Sequence, residues 1–328
     1  MTVNLTDPIF TDEDKARAYF EEIRWQHRPV CPHCGNADAN RIYAIAANPK
    51  RKIRAGLYEC QDCHGQFTVR TGSVMESSHV PLTKWALAYR LMASAKKGIS
   101  AHQLHRTIGV TYKTAWFMAH RIREAMRDNS GEKIGGPDTI TEADETYVGG
   151  RPRKPAGPSR GSGESRPKPR GGGRSTRHRT PVVALIERDG RAVAKPTIDA
   201  SAGTLSSIVR ANVDLRGKLM TDAWRGYIRI GWEFTGGHER VDHGAGEYAR
   251  GDAHVNTAES FFALLKRGIV GSFHHVSPEH LSRYCDEFAF RWDRRSVNDT
   301  ERAAEAIKAG EGKRLTYQRT RSAASAEA

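Results

Sequence analysis

The sequence has few of the features that membrane and secreted proteins need. Its 328 residues include only five cysteines, and no apolar run approaches the roughly 18 residues of a membrane-spanning helix. The first residues lack a basic stretch followed by an apolar one, so they do not resemble a secretion signal. These absences exclude a transmembrane protein, and we expect a cytoplasmic protein of two or three small domains.

Acidic residues are scarce relative to basic ones, and the imbalance is local. There are 52 Lys plus Arg against 38 Asp plus Glu, a formal net charge of +14. Residues 151–180 alone contain ten Lys or Arg and one acid, Glu164, together with five Pro and six Gly. Such a segment cannot bury enough apolar surface to fold, so we expect a mobile, disordered insertion. Its charge favours a polyanion such as DNA, through release of counterions from the phosphates, and the alternative is a solvated linker.

Two C-x-x-C pairs are the strongest local signal. Two residues between thiolates allow both sulfurs to bind one ion, and two such pairs complete the tetrahedral shell that suits zinc. Strand candidates at 41–46 and 57–59 indicate a zinc ribbon, and four protein ligands leave no open position, which predicts a structural ion. Two disulfides or a redox C-x-x-C are the alternatives, and a reducing cytoplasm disfavours the disulfides. The predicted ligands are Cys31, Cys34, Cys60 and Cys63.

Helical patterns follow between residues 81 and 128. Apolar residues recur at core spacing over 82–95, and Ser100 and Thr111 are N-cap candidates for two further helices separated by Gly109. This arrangement is typical of a DNA-binding helix-turn-helix, whose second helix contacts base edges with its first turn. The alternative is an ordinary three-helix packing unit. The side chains that we expect at DNA are Tyr112, Lys113, Thr114, Arg121 and Arg123.

After residue 130 the pattern alternates between strands and helices, which indicates an α/β domain with a mixed sheet. The basic insertion falls between the first two strands, where a long connection costs little stability. The strand candidates are Thr139–Val148, Pro181–Glu187, Arg191–Ile198, Lys218–Asp222 and Glu239–Asp242. The helix candidates are Ala202–Val213, His254–Ile269 and Pro278–Arg295.

Three acids stand out by their positions in this pattern. Asp144 lies in the first strand, Asp222 ends a later apolar strand, and Glu259 lies in the helix after the last strand. A charge at the end of a buried strand is costly unless it is paired or binds a metal. Two strands and a helix can present three carboxylates to a pair of Mg²⁺ ions, a site suited to phosphoryl transfer.

The neighbours of these acids leave alternatives open. Strand alternation turns Asp144 and Glu145 to opposite faces without identifying the face that carries the site. Glu259 and Lys266 are seven residues apart and project from one face of a helix, where Lys266 could hold a phosphate near the ions. The alternative is a pair of surface charges on an amphipathic helix.

A group of histidines offers a competing metal site. The spacing H-x-x-x-D-H at 238–243, together with His254, provides ligands for a second ion. Because such short patterns are common in strands and loops, we favour roles in hydrogen bonding or near DNA for these residues.

The blocks around the three acids form a set with a specific order. They are DETYVGG at 144–150, TDAWRGY at 221–227, HVNTAESFFALLKR at 254–267, FHHVS at 273–277 and HLSRYCDEFAFRWDRR at 280–295. With the first cysteine pair and KTAW at 113–116, they resemble the insertion-sequence-1595 family of transposases over nearly the whole chain. Phe262 and Asp293 depart from the family, which commonly has Trp and Asn there.

The resemblance implies an RNase H-like fold of the DDE type. It implies that Asp144 rather than Glu145 joins Asp222 and Glu259 in a triad that binds Mg²⁺ or Mn²⁺, with Lys266 as the accompanying basic residue. A zinc ribbon with structural Zn²⁺ at 1–75 and a helix-turn-helix at 76–130 would then precede the catalytic domain. That domain would span 131–300, including the insertion at 151–180, and a polar tail would span 301–328.

The implied activity is that of a transposase, which cleaves 3′ ends and transfers strands. Its partners would be double-stranded DNA, as terminal repeats and target, and further copies of the chain assembled on DNA, with no membrane partner. Two other functions remain open from the sequence. One is a DNA-binding regulator with an inactive RNase H-like domain, and the other is a stand-alone RNase H-like nuclease.

Overall fold

The computed structural model describes residues 4–26, 28–149 and 179–316. The chain divides into two compact units, one formed by Met1–Asn129 with Arg294–Ala328 and the other by Ser130–Asp293. Nearly all of the predicted basic insertion and the predicted tail from residue 317 onward lie outside the described residues. Among the residues that are described, no helix is both long enough and apolar enough to cross a membrane.

The first unit begins with a helix that the sequence patterns did not predict. The Asp12 carboxylate caps this helix, α1 (Glu13–Trp25), by accepting hydrogen bonds from backbone N–H groups of its first turn. Trp25 makes edge-to-face contacts with Tyr58 and Phe67, which join α1 to a small antiparallel sheet. The strands of this sheet are β1 (Ile42–Ile45), β2 (Leu57–Cys60) and β3 (Gln66–Phe67).

Three helices of the first unit match the predicted helix-turn-helix region. The Ser100 and Thr111 hydroxyls cap the second and third helices, as expected from the sequence. Gly109 ends the second helix with a φ of 64°, a left-handed conformation that glycine adopts without a steric penalty. The helices are α2 (Leu82–Ser94), α3 (Ala101–Ile108) and α4 (Tyr112–Met126).

The polar tail expected at 301–328 begins instead with a packed helix of the first unit. Within this unit Ala303, Ala306 and Ile307 are buried, and their helix contacts α1, α2 and α4. Lys313 then donates a 2.9 Å hydrogen bond to the carbonyl of Ala125 near the end of α4. The sequence left this tail open between a partly helical and a disordered segment. In the structure its alanines, although weakly hydrophobic, recur at the i, i+3 spacing of a buried helix face. The helix is α9 (Asp299–Lys308).

The second unit is built on a five-stranded sheet with the order β6-β5-β4-β7-β8. Its first three strands in sequence are antiparallel neighbours, whereas β7 runs parallel to both β4 and β8. This mixed sheet confirms the predicted α/β class, and each strand boundary lies within two residues of its prediction. The strands are β4 (Ile140–Val148), β5 (Thr180–Glu187), β6 (Ala192–Pro196), β7 (Lys218–Asp222) and β8 (His238–Val241).

Helices cover both faces of this sheet. On one face lie α5 (Ala202–Asn212) and the single turn α6 (Ile228–Gly231), and on the other lie α7 (Asn256–Gly268) and α8 (Pro278–Asp293). Alternate residues of β5 contribute to the two cores, as expected for a strand buried on both faces. Each residue of the central strands is therefore assigned to one layer by its position.

Candidate active site and metal centre

Asp144 and Glu145 are adjacent in β4 but face opposite sides of the sheet. Asp144 pairs with Ala184, which belongs to the core beneath α7, whereas Glu145 pairs with Val183, which belongs to the core beneath α5. The Tyr227 hydroxyl donates a 2.9 Å hydrogen bond to Oε2 of Glu145. The side chain of Glu145 is therefore engaged on the α5 side, and Asp144 is the acid on the side of α7.

Asp222 and Glu259 approach Asp144 from β7 and α7. Asp222 is the last residue of β7, and its Oδ1 accepts a 3.0 Å hydrogen bond from the backbone N–H of Trp224. Glu259 lies in the first turn of α7 with its side chain 52% exposed, and its Oε1 is 4.0 Å from Nδ1 of His243. Two strands and one helix thus bring together the three acids of the expected triad.

Burial makes two of these acids, Asp144 and Asp222, difficult to ionise. Burial raises the pKa of Asp144 to about 7, and the charges of Glu145, Asp222 and Glu259 add to this rise. The Glu145 backbone N–H, which donates a 2.8 Å hydrogen bond to Asp144, opposes it. Burial also raises the pKa of Asp222, although hydrogen bonding from the Trp224 N–H and the nearby His243 ring counteract this rise. A bound cation would relieve this repulsion.

The chemistry of this donor set fits divalent cations. Carboxylate oxygens are the ligands that Mg²⁺ and Mn²⁺ prefer. The oxygens of Asp144, Asp222 and Glu259 do not all lie within 4.8 Å of one another, as the sulfurs of the cysteine cluster do. The donor set is therefore of the kind that hard divalent cations bind.

Lys266 extends from α7 two turns beyond Glu259. Its side chain is exposed, and its Nζ lies 5.9 Å from the ring centroid of Phe262. Phe262 is the aromatic residue at which the family commonly has Trp, and an aromatic face of either kind attracts an ammonium group. The helix thus presents a basic group on the side that carries Glu259.

The four cysteines of the first unit form a compact cluster. The Sγ atoms of Cys31 and Cys63 are 3.6 Å apart, and those of Cys34 and Cys60 are 3.7 Å apart. Four sulfurs at Zn–S bonds of 2.3 Å form a tetrahedron with edges of about 3.8 Å, so these distances fit zinc, whereas a disulfide requires about 2.05 Å. The backbone N–H of Cys63 donates to the Cys60 sulfur and helps to lower its pKa to about 6. Although the Asn36 backbone N–H acts to lower it, burial and hydrogen bonding with the other three sulfurs raise the pKa of Cys34 to about 12. The fit to zinc therefore rests on the geometry of the four sulfurs.

Comparison with known proteins identifies both units. Residues 136–293 match the model of the ISXO2-like transposase domain, and residues 11–66 match the transposase zinc-ribbon domain. The chain is 32% identical, over 287 residues, to an uncharacterized protein in transposable element ISH50 of Halobacterium salinarum. The match covers 86% of this chain and 91% of that protein. The chain belongs to the insertion-sequence-1595 family of transposases.

Solved structures of other transposases are more distant from this transposase. The Mos1 transposase paired-end complex with left transposon end is 13% identical, over 69% of this chain and 74% of that chain, with a TM-score of 0.25. The pre-cleavage Mos1 transpososome is also 13% identical, over 69% of this chain and 79% of that chain, with a TM-score of 0.21. The family membership, the mixed sheet and the four-cysteine cluster confirm the expected fold class, an RNase H-like DDE domain with a zinc ribbon.

The expected DNA-contacting residues of the transposase differ in exposure. Tyr112 is 44% exposed at the start of α4 and stacks on His102 of α3, with ring centroids 4.3 Å apart. Lys113 is exposed in the same turn, and Thr114 is partly exposed with its backbone N–H bound to the Thr111 hydroxyl. The first turn of α4 therefore offers its side chains at the surface of the first unit.

The two arginines expected at DNA phosphates lie deeper. Arg123 is only 2% exposed, which corrects the expectation that it meets a phosphate, because its side chain lies inside the first unit. Arg121 is partly exposed, and it donates a 3.0 Å hydrogen bond to the Glu76 carbonyl and lies over the Phe117 ring. Arg123 therefore belongs to the buried face of α4, together with Ala119, Ile122 and Met126.

The competing histidine cluster does not assemble around an ion. The four-cysteine cluster is the one group of potential metal ligands found within 4.8 Å of one another in the described part of the chain. His238 Nε2 lies 2.9 Å from the Thr221 hydroxyl, and Asp242 caps the turn that follows it. His243 instead stands beside Glu259 and Asp222, a position that the sequence pattern did not reveal.

Proposed function

We propose that this transposase cleaves DNA at the ends of its element and joins the freed ends to target DNA. The observation that carries the proposal is the approach of Asp144, Asp222 and Glu259 from β4, β7 and α7, with the pKa of Asp144 raised to about 7. A buried acid that is costly to ionise, as Asp144 is, has a physical reason to exist where cations neutralise it.

The three acids would hold two Mg²⁺ or Mn²⁺ ions. When bound, such ions activate a water or hydroxyl nucleophile and stabilise the departing oxygen of a phosphodiester. Asp144 and Asp222 are fixed on the sheet and Glu259 on α7, so the site has its ligands on rigid elements. Lys266 would hold a DNA phosphate beside the acids on the exposed side of α7.

The order of events follows from phosphoryl-transfer chemistry. Water attacks at the element end and frees a 3′-hydroxyl, which in turn attacks a phosphodiester of the target. No protein side chain has to form a covalent bond with DNA. Because two element ends must meet, the proposal includes an assembly of several copies of the chain on DNA.

The first unit would supply recognition of terminal repeats. In a helix-turn-helix, the first turn of the second helix contacts base edges, and here that turn carries the exposed side chains of Tyr112, Lys113 and Thr114. Arg121, being partly exposed, is proposed to contact the backbone. The structural zinc would stabilise the sheet β1–β3, and the basic segment 151–180 would add affinity for DNA of any sequence.

The decisive experiment measures nicking and joining of DNA that carries the inverted repeats flanking the reading frame. Wild-type protein with Mg²⁺ should nick at the repeat ends and join them to a target, and neither reaction should occur without Mg²⁺. Asp222→Asn should bind the repeats as wild type does but cleave neither strand. Binding without nicking by wild type would select an inactive regulator, and nicking without joining would select a nuclease. Retained cleavage by the variant would remove Asp222 from the triad.

A further inference from the structure

Glu142 is a buried carboxylate in the same strand as Asp144. It is 0% exposed in β4, and as the residue two positions before Asp144 it faces the same layer, beneath α7. A fully buried charge is costly unless hydrogen bonds satisfy it, so the partners of Glu142 must be strong ones. Neither the proposed triad nor the packing of the sheet requires a charge at this position.

Its partners are backbone N–H groups at the start of α7, which have no acceptor within the helix. Oε2 of Glu142 accepts hydrogen bonds of 2.8 Å from the Thr257 backbone N–H and 3.0 Å from that of Ala258. Oε1 accepts one of 2.9 Å from the Thr257 hydroxyl. Every helix has orphan N–H groups in its first turn, and the residue before α7, Val255, has no side-chain oxygen to satisfy them. A strand residue therefore caps this helix across the layer.

Arg188 completes the connection from the other side of Glu142. Its Nε donates a 2.7 Å hydrogen bond to Glu142 Oε1. Its Nη2 donates to the carbonyls of Asp252, at 2.8 Å, and His254, at 3.1 Å, in the segment that leads into α7. The His254 ring lies against the same pair, with Nδ1 3.2 Å from Glu142 Oε1. Both the helix and its approach are thus tied to one carboxylate.

The geometry points to Glu142 as a positioning residue for the metal site. Asp144 follows it by two residues in β4, and Glu259 follows its partner Ala258 by one residue in α7. One carboxylate consequently fixes the distance between the two acids, and it does so without touching substrate or metal. This inference rests on the proposed function only in assigning metal binding to Asp144, Asp222 and Glu259.

The test variant is Glu142→Gln, which keeps the volume of the side chain. Its amide nitrogen cannot accept hydrogen bonds, and the absence of the charge weakens those that remain. Glu287→Gln is the matched control, because Glu287 is also 0% exposed and also bound to an arginine, Arg291, but it belongs to α8 rather than to β4. Both variants should lower the unfolding temperature.

Two readouts separate positioning from stability. Amide hydrogen exchange should speed up at residues 257–259 in Glu142→Gln and stay at the wild-type rate there in Glu287→Gln. Mn²⁺ binding to DNA-free protein, followed by electron paramagnetic resonance, should weaken about 10–100-fold in Glu142→Gln, the range expected when a partner of metal ligands is removed. Affinity for repeat DNA should stay within twofold of wild type.

A gentler pair of variants serves if Glu142→Gln fails to fold. Thr257→Val removes only the hydroxyl bond to Glu142, whereas Thr257→Ser keeps it. Thr257→Val should weaken Mn²⁺ binding, and Thr257→Ser should restore it.

The outcomes distinguish this inference from the proposed function. Unchanged exchange at the start of α7, or Mn²⁺ binding at wild-type strength in Glu142→Gln when Asp222→Asn binds poorly, overturns the positioning role alone. If Asp222→Asn also binds Mn²⁺ normally, the proposed metal site is wrong and the positioning role fails with it. Weaker binding in both variants supports both.

Discussion

At the scale of single residues, burial and the charges of neighbouring acids disfavour the ionised form of Asp144, and a nearby cation would offset this effect. Asp144 is buried beside three other acids, and its pKa of about 7 means that the folded protein resists ionising it near neutral pH. Because hydrogen bonds oppose this effect only in part, metal binding and deprotonation of Asp144 should be coupled. In the proposed function the same residue would contribute to metal affinity and would limit the stability of the metal-free protein.

The metal-free protein should lose stability as the pH rises from about 4 to about 7. In this range the folded state retains the Asp144 proton and the unfolded chain releases it, so unfolding becomes easier with rising pH, by up to about 4 kcal/mol. Asp144→Asn removes this titration and should raise the unfolding temperature at pH 8 in Mg²⁺-free buffer, with little difference at pH 4. Calorimetry at both pH values checks this, and identical pH dependence in the two proteins would contradict it.

Strand alternation and helix periodicity predicted some residues of the site but not others. A position within β4, the end of β7 and the face of α7 indicated Asp144, Asp222 and Glu259 as candidates, and the family resemblance favoured Asp144 over Glu145. The choice between Asp144 and Glu145 needed the core beneath each face, which alternation alone does not identify. Arg123 was misjudged because its charge suggested exposure, whereas tertiary packing places it on the buried face of α4.

At the scale of elements, the small sheet β1–β3 and the helices α2 and α4 are stabilised in two different ways, the sheet by the zinc site and the helices by packing against α9. The sheet β1–β3 has only short strands, and four thiolates around one zinc ion can supply much of its folding free energy. The helices α2 and α4 are packed in turn against α9 through its buried residues. The zinc cluster and α9 therefore stabilise different parts of the first unit, and separate substitutions can weaken each one.

Cys60→Ser should release the zinc and unfold the sheet β1–β3, because three thiolates hold the ion far more weakly than four. Metal content measured by mass spectrometry should fall from one zinc per chain towards zero. Cys285→Ala is the control, since Cys285 is a buried thiol of α8 outside the cluster. One zinc per chain in Cys60→Ser would show that the ligand assignment is wrong.

Ile307→Ala should destabilise the first unit by about 2–5 kcal/mol, the usual cost of truncating a buried isoleucine. Lys308→Ala changes the next, exposed residue of α9 and should have little effect. Urea unfolding followed by fluorescence of the first unit's tryptophans measures the difference. Equal stability of the two variants would mean that α9 does not belong to the core of this unit.

The sequence predicted the strongly periodic elements well and the weakly periodic ones poorly. β7 was predicted with its observed bounds, Lys218–Asp222, because an apolar strand between turn residues is distinctive. α1 was missed because charged residues dominate it, and α9 because alanine contributes little to an apolar pattern. In each case tertiary packing rather than local propensity defines the buried face.

At the scale of the whole molecule, positive charge is concentrated in one segment of the sequence, to which we assign, as a proposal, affinity for DNA of any sequence. Residues 151–180 hold ten of the 52 basic residues. Local pattern predicted this concentration, but it gave no sign that residues from Arg294 onward return to the first unit. Such a return depends on contacts between distant parts of the chain, which short-range periodicity does not encode.

Replacing the arginines and lysines of 151–180 by glutamine should weaken DNA binding most at low salt. For every phosphate that the segment no longer neutralises, the slope of log affinity against log salt should become shallower by about 0.9. Fluorescence anisotropy between 50 and 300 mM salt, with repeat and random duplexes, measures both slopes, and the two should fall together. An unchanged slope would identify the segment as a solvated linker.

Because α9 follows residues 130–293, the first unit can complete its core only after the second unit has been synthesised. A nascent chain leaves the ribosome with α2, α3 and α4 exposed long before their last packing partner has been translated. A message that is cut short, or a gene that has lost its 3′ end, accordingly yields a chain without α9. In such a chain the apolar side chains of α2 and α4 that pack against α9 are exposed to solvent. Such fragments should be cleared by proteases instead of competing with the full-length enzyme for its binding sites.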